Sequence, residues 1–323
     1  MTSHWVGHDD NWAQFSAGLQ SDRLHHGWIL AGPRGLGKAG FARRAGAALV
    51  DPEGRNGHLI AQNNHPDIIT LSRLPKDPPK DGEAADPAAE LKRSITIDQV
   101  RAIQQVLTTR ASMGPRRAVI IDAADDLERG GANALLKSLE EPPVGTFFFL
   151  ISHASDRLLP TIRSRCQLLR FDPLTDDQMR TVLTQEAADM PMDERELLIR
   201  SGGGAPGQAL EFAGLNLADI ERTIDAIVRT GDSSNALRHK LAEELSLKAA
   251  QPRYEAFLRY APVRIAAVAR NLPTEQVMPA INAFHAAETL AARAIGISLD
   301  KSAVIFQMGS LLASLQNTKP AAN

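Results

Sequence analysis

Cysteine is almost missing from this chain: one residue in 323, Cys166, leaves no internal disulfide framework and no cysteine-rich zinc cluster. Such scarcity predicts a reducing, cytoplasmic setting. Long apolar stretches are missing too, and the opening MTSHWVGHDDNW has no basic region followed by an apolar one, so neither a membrane span nor secretion is predicted. Excess charge of one sign is also lacking: 36 Lys and Arg face 38 Asp and Glu, a formal charge of -2. Composition therefore forces no basic face, and any contact with nucleic acid must be local or shared with partners.

The remaining composition, 43% hydrophobic and 23% charged, is that of a soluble globular protein, and 323 residues allow two or three domains. Short apolar runs alternate with helical patterns: Trp28–Ala31, Ile68–Leu71, Ala118–Ile121 and Phe147–Ile151. Runs that are apolar on both faces predict a buried parallel sheet in an α/β layer. Between them, Thr96-Ile97-Asp98-Gln99 reads as a capping box, followed by Val100, Ile103, Val106 and Leu107 on one helical face. A second helix is expected through Asn133–Glu140, stopped by Pro142-Pro143. The proline-rich, charge-alternating text from Ser72 to Ser94 predicts a mobile surface loop. Strand signals cease after Phe171, and amphipathic helices run to the C-terminus, with one boundary at Asp172-Pro173-Leu174-Thr175 and a second near Gly214 to Leu217, after the glycine cluster Gly202-Gly203-Gly204 and a short helix.

Directly after the first run stands Gly32-Pro33-Arg34-Gly35-Leu36-Gly37-Lys38-Ala39, the G-x-x-x-x-G-K part of a phosphate loop between strand and helix. Gly32, Gly35 and Gly37 let backbone N–H groups wrap phosphate oxygens, and the helix start adds its dipole. Lys38 fits this pattern, but Ala39 stands where Ser or Thr would hold Mg²⁺. The run Ala118–Ile121 ends in Asp122, as in a metal-holding Walker B strand, yet Ala123 replaces the glutamate that polarises water. Asp125 and Asp126 read as helix-capping residues.

The stretch Asp122–Gln167, with NALLKSLEEPP and Ser164-Arg165-Cys166, resembles the clamp-loader branch of the AAA+ ATPases. With His25, His26 and Trp28 before the loop and His65-Pro66-Asp67 before the second strand, it is similar to the bacterial delta-prime family over roughly residues 6 to 210. That resemblance implies an arginine finger at Arg165, acting in trans on a nucleotide held by a neighbouring subunit. It implies a γ-phosphate sensor position at Ser152 or His153 and a second sensor position occupied here by Gly207. Relatives with a four-cysteine zinc module carry it between the loop helix and His65, where Val50–Asn64 has none; His58 and His65 read as surface or turn residues, and no zinc is expected.

The expected architecture is a P-loop AAA+-type α/β domain with a parallel sheet over 1–171, a helical lid over 172–214 and an all-α collar over 215–323. The expected role is a non-motor subunit of the DNA polymerase III sliding-clamp loader, with weak or no ATP binding. Gamma/tau-type motor subunits, the delta subunit, the sliding clamp and, through the complex, primer-template DNA are the implied partners. An active ATP-hydrolysing motor subunit is the alternative, favoured by Gly32, Gly37, Lys38 and Asp122, and a small-molecule kinase is a more distant one.

Overall fold

The computed structural model describes residues 5–21, 23–77, 89–296 and 299–318. It divides into two compact units, Met1–Pro173 and Leu174–Asn323.

The first unit runs α1 (Asp9–Gln20), β1 (Gly27–Ala31), α2 (Lys38–Val50), α3 (Gly57–Ala61), β2 (Ile68–Ser72), α4 (Ile97–Leu107), β3 (Arg117–Asp122), α5 (Arg129–Glu140), β4 (Thr146–Ser152), α6 (Pro160–Arg163) and β5 (Gln167–Arg170). The strands form one sheet in the order β2-β3-β4-β1-β5, every pairing parallel. All four strands expected from the apolar runs are there, and β5 is an additional edge strand. Alternate residues of each strand face opposite layers. Ile29, Val119, Ile121, Phe148 and Leu150 join a core with Val100 and Leu107 of α4 and Leu135 and Leu139 of α5. Trp28 and Phe149 point the other way and meet Phe15 of α1, with ring centroids 5.8 and 5.9 Å away. Phe41 of α2 continues this aromatic layer to Phe171, at 5.2 Å.

Local chemistry sets the ends of these helices. Thr96 caps α4 reciprocally with Gln99, as its sequence requires. α5 stops at Glu140, before Pro142. Of the expected mobile loop, the base is a clasp in which Lys76 N–H donates to Glu90 O and Lys92 N–H to Leu74 O, both at 2.7 Å. Residues 78–88 of that loop lie outside the described residues.

The second unit is helical throughout its described residues: α7 (Asp176–Glu186), α8 (Met192–Ser201), α9 (Pro206–Phe212), α10 (Leu217–Thr230), α11 (Ala236–Leu245), α12 (Gln251–Ala269), α13 (Thr274–Gly296) and α14 (Lys301–Ser314). The division at Pro173 falls two residues beyond the expected end of the α/β domain at 171. Lid and collar, expected as separate domains meeting at 214, share one core running from Leu174 to Leu315. The reason is the apolar stripe of α10, where Leu217, Ile220, Ile224 and Ile227 recur at helical spacing and are buried in the same cluster as Leu198 of α8 and Phe212 of α9.

Candidate functional site

β1 delivers the chain to the phosphate loop at its C-terminal end. Gly32 N–H donates to Ser152 O at 3.2 Å. A Cβ at Gly32, whose φ is 153°, would stand 2.3 Å from the Phe171 carbonyl oxygen, which leaves room for glycine alone. Gly35 and Gly37 follow with φ of 78° each and turn the loop into the first turn of α2. Lys38 is 3% exposed, and its side chain folds back so that Nζ donates to Gly32 O at 2.5 Å and to Pro33 O. Burial pulls its pKa down to about 8, against the opposing pull of Asp122 and Asp125. The ammonium is thus satisfied by the loop's own carbonyls. Ala39, next in line, offers a methyl where a metal would need a hydroxyl.

Asp122 ends β3 beside this loop, its pKa raised by burial and held back by Arg43 and Lys38. Ala123 is buried and carries no carboxylate. Asp125 corrects the sequence reading: it caps no helix. Its carboxylate spans to the end of β4, accepting from Ser152 Oγ at 2.8 Å, from His153 N–H at 2.5 Å and from Ala154 N–H at 3.3 Å. Asp126, also read as a cap, instead pairs with Arg73 Nε at 3.1 Å. The sensor position Ser152 is therefore fully buried and already bonded. His153 sits against the Gly32 main chain with Nδ1 buried and unpartnered; burial, then Lys38 and Arg34, drive its pKa down to about 4. Its imidazole is neutral at pH 7.

Two residues beside the loop escaped the sequence reading. The indole of Trp5 lies over Gly37 and Gly40, and the His8 ring packs tilted against Phe171, centroids 4.5 Å apart, beside the Leu36 main chain. The one signal that pointed to them was Gly40, a glycine inside the first turn of a helix where packing asks for a reason. Gly207, expected at a second sensor position, is the second residue of α9 and brings no cation.

Arg165 stands at the opposite end of β1. A Cβ on Gly27, where β1 starts, would lie 3.2 Å from Arg165 O, whereas the phosphate loop follows Ala31, where β1 ends. Five residues of strand separate the two ends by roughly 16 Å. The guanidinium donates to Thr161 O at 2.9 Å and Ser164 Oγ at 3.2 Å, and pairs with Glu140 at 2.7 Å. Its side chain keeps 34% exposure. Cys166 beside it is partly buried, which raises its pKa to about 12.

His65-Pro66-Asp67 builds a structural node. Asp67 is fully buried, accepts from Ser112 N–H at 2.7 Å and Met113 N–H at 2.8 Å, and faces Arg117 at 3.6 Å. His65, expected as a surface or turn residue, is a buried turn residue whose Nδ1 accepts from Asp67 N–H. Among the described residues no group of three or more His, Cys, Asp or Glu is placed to hold a metal ion, and no helix is long and apolar enough to cross a membrane.

A family model described as "DNA polymerase III, delta subunit" matches residues 7–175. The DNA polymerase III subunit delta' of Pseudomonas aeruginosa is 33% identical over 213 residues, 63% of this chain and 59% of that protein. The subunit of the same name from Escherichia coli is 32% identical over 242 residues, 70% of this chain and 68% of that protein. The subunit gamma/tau of Mycobacterium tuberculosis is 29% identical over 222 residues, 68% of this chain and 37% of that protein. The match thus spans less than two thirds of the Pseudomonas relative and little more than a third of the gamma/tau one.

Proposed function

The chain belongs to the DNA polymerase III delta-prime family, clamp-loader proteins of AAA+ fold, and on that premise we propose that it is a non-motor subunit lending Arg165 to a nucleotide on its neighbour. One observation carries this reading: Arg165 stands at the end of β1 opposite the one that leads into its own phosphate loop. A phosphate that it meets belongs to another chain. A planar, permanently charged guanidinium suits charge on transferring phosphoryl oxygens. The pair with Glu140 is half-exposed and worth about 0.2–1 kcal/mol, so exchanging that carboxylate for a phosphate costs little.

The chain's own loop turns over no ATP in this reading. Ala39 gives Mg²⁺ no hydroxyl, Ala123 orients no water, and Gly207 contributes no charge. No nucleotide cofactor and no zinc are required. The gamma/tau-type relatives are the natural holders of the nucleotide that Arg165 faces, and the delta subunit, the sliding clamp and primer-template DNA complete the proposed assembly. Within it the first unit supplies the arginine, while the helices of 172–214 and 215–323 serve as lid and oligomerisation collar.

The test is reconstitution. The purified chain alone should show no MgATP turnover above the buffer blank, yet co-elute with gamma/tau-type and delta subunits on size exclusion. Turnover by the isolated chain at the rate of a gamma/tau-type subunit would instead support the motor alternative.

A further inference from the structure

The loop's glycines pose a question that the absent hydroxyl at Ala39 does not answer. Gly40 lies inside the first turn of α2, where glycine costs about 0.5–1 kcal/mol relative to alanine. A Cβ built there would meet Trp5 ring atoms at 2.9 and 3.0 Å, and one on Gly37 would meet the same ring at 3.2 Å. The two glycines form a bare floor, and the indole lies on it. Trp5 is held from behind by Phe41, 6.4 Å away edge-on, while the following His8 is fixed between Phe171 and the Leu36 main chain. The indole Nε1 is buried with no hydrogen-bond partner, so packing alone holds the ring in this place.

A phosphate cradled by the loop N–H groups sits on the axis of α2, and whatever is attached to it must leave past the first turn. Gly37 and Gly40 leave one side of that turn without side chains, and this is the side that Trp5 covers. We propose that Trp5 occupies the sugar-and-base side of this phosphate loop as a built-in pseudo-ligand, closing it to nucleotide independently of the missing metal ligand.

This deepens the reading of the loop as inactive, on which it rests, and owes nothing to the role of Arg165. It predicts that restoring the hydroxyl is not enough. Four proteins decide the matter: wild type, Ala39→Thr, Trp5→Ala, and the double variant. Each is titrated with the fluorescent nucleotide mant-ATP in the presence of Mg²⁺, after thermal melts confirm folding. Trp5→Val replaces Trp5→Ala if the smaller side chain unfolds the first unit. The double variant should bind at least tenfold more tightly than Ala39→Thr alone, and Trp5→Ala alone should bind more tightly than wild type. If Ala39→Thr alone binds as well as the double variant, the pseudo-ligand is refuted while the inactive-loop reading stands. If the folded double variant binds no better than wild type, the pseudo-ligand is refuted as well. Tight binding by wild type would overturn both.

Discussion

Removing the Asp67 carboxylate should unravel the edge of the first unit more than any surface change can. Asp67 is fully buried and satisfies two backbone donors, Ser112 N–H and Met113 N–H, that close the turn after α4. Arg117 opposite is 3% exposed and donates to Val106 O, Thr109 O and Arg110 O, but its Nε makes no hydrogen bond. Charge alone links that Nε to Asp67 across 3.6 Å, worth about 4.6 kcal/mol at an effective dielectric of 20 before desolvation is subtracted. Asp67→Ala leaves the guanidinium buried without its counter-charge, and breaking a buried pair in this way costs about 3–5 kcal/mol. Arg117→Met should cost less, because the carboxylate keeps its two N–H donors. The double variant should recover about 1–3 kcal/mol relative to the sum of the singles. All three tryptophans, Trp5, Trp12 and Trp28, lie in the first unit, so urea unfolding followed by tryptophan fluorescence isolates its transition from that of the helical unit. A loss below 1 kcal/mol for Asp67→Ala, or strict additivity in the cycle, would refute this account of the node.

Three smaller expectations follow from the same geometry. His153 is held neutral, with its folded pKa near 4 against 6.5 when unfolded, so the unfolded chain binds the proton first; stability is full above pH 6.5 and falls as pH drops toward 4. At most about 2 kcal/mol is lost in this way between pH 7.5 and pH 5, and His153→Gln should flatten that slope in urea melts at the two pH values. Thr96→Ala removes the reciprocal cap of α4 and should cost about 1 kcal/mol in the same assay; no measurable change would show that the cap is redundant. Elemental analysis of tag-free protein should find no stoichiometric zinc, and one zinc per chain would require ligands that Cys166 and the scattered histidines do not supply.

Much of the fold could be read from periodicity, because the sheet is buried on both faces and its central strands are unbroken apolar runs such as Ala118–Ile121. β5 was not legible: Gln167–Arg170 is short and mostly exposed, and only its pairing with β1 makes it a strand. The phosphate loop was legible because its chemistry is local, and so was the capping box at Thr96. Asp125 was misread for the opposite reason. Its partners Ser152, His153 and Ala154 lie 27 to 29 residues away, and nothing near Asp125 announces them. Trp5 is similar, since an aromatic near the chain start carries no signal until α2 presents Gly40 to it. The boundary at 214 follows a glycine and a change of helix, but a turn need not interrupt a core, and the stripe of α10 joins both sides.

Arg165 decides the central proposal. Arg165→Ala should leave the isolated fold within about 0.5 kcal/mol of wild type, since the pair with Glu140 and the two hydrogen bonds to Thr161 O and Ser164 Oγ that it removes are all solvent-exposed, and it opens no core cavity. Arg165→Lys should rescue poorly, because an ammonium lacks the forked planar donors. The measurement is ATP turnover and clamp loading by complexes reconstituted with gamma/tau-type and delta subunits, carrying wild-type or Arg165→Ala chain, with assembly verified by size exclusion. The proposal predicts an assembled mutant complex whose clamp- and DNA-stimulated hydrolysis at the adjoining site falls by about 10³-fold or more; an assembled mutant complex working at the wild-type rate would contradict it and leave Arg165 a purely structural residue.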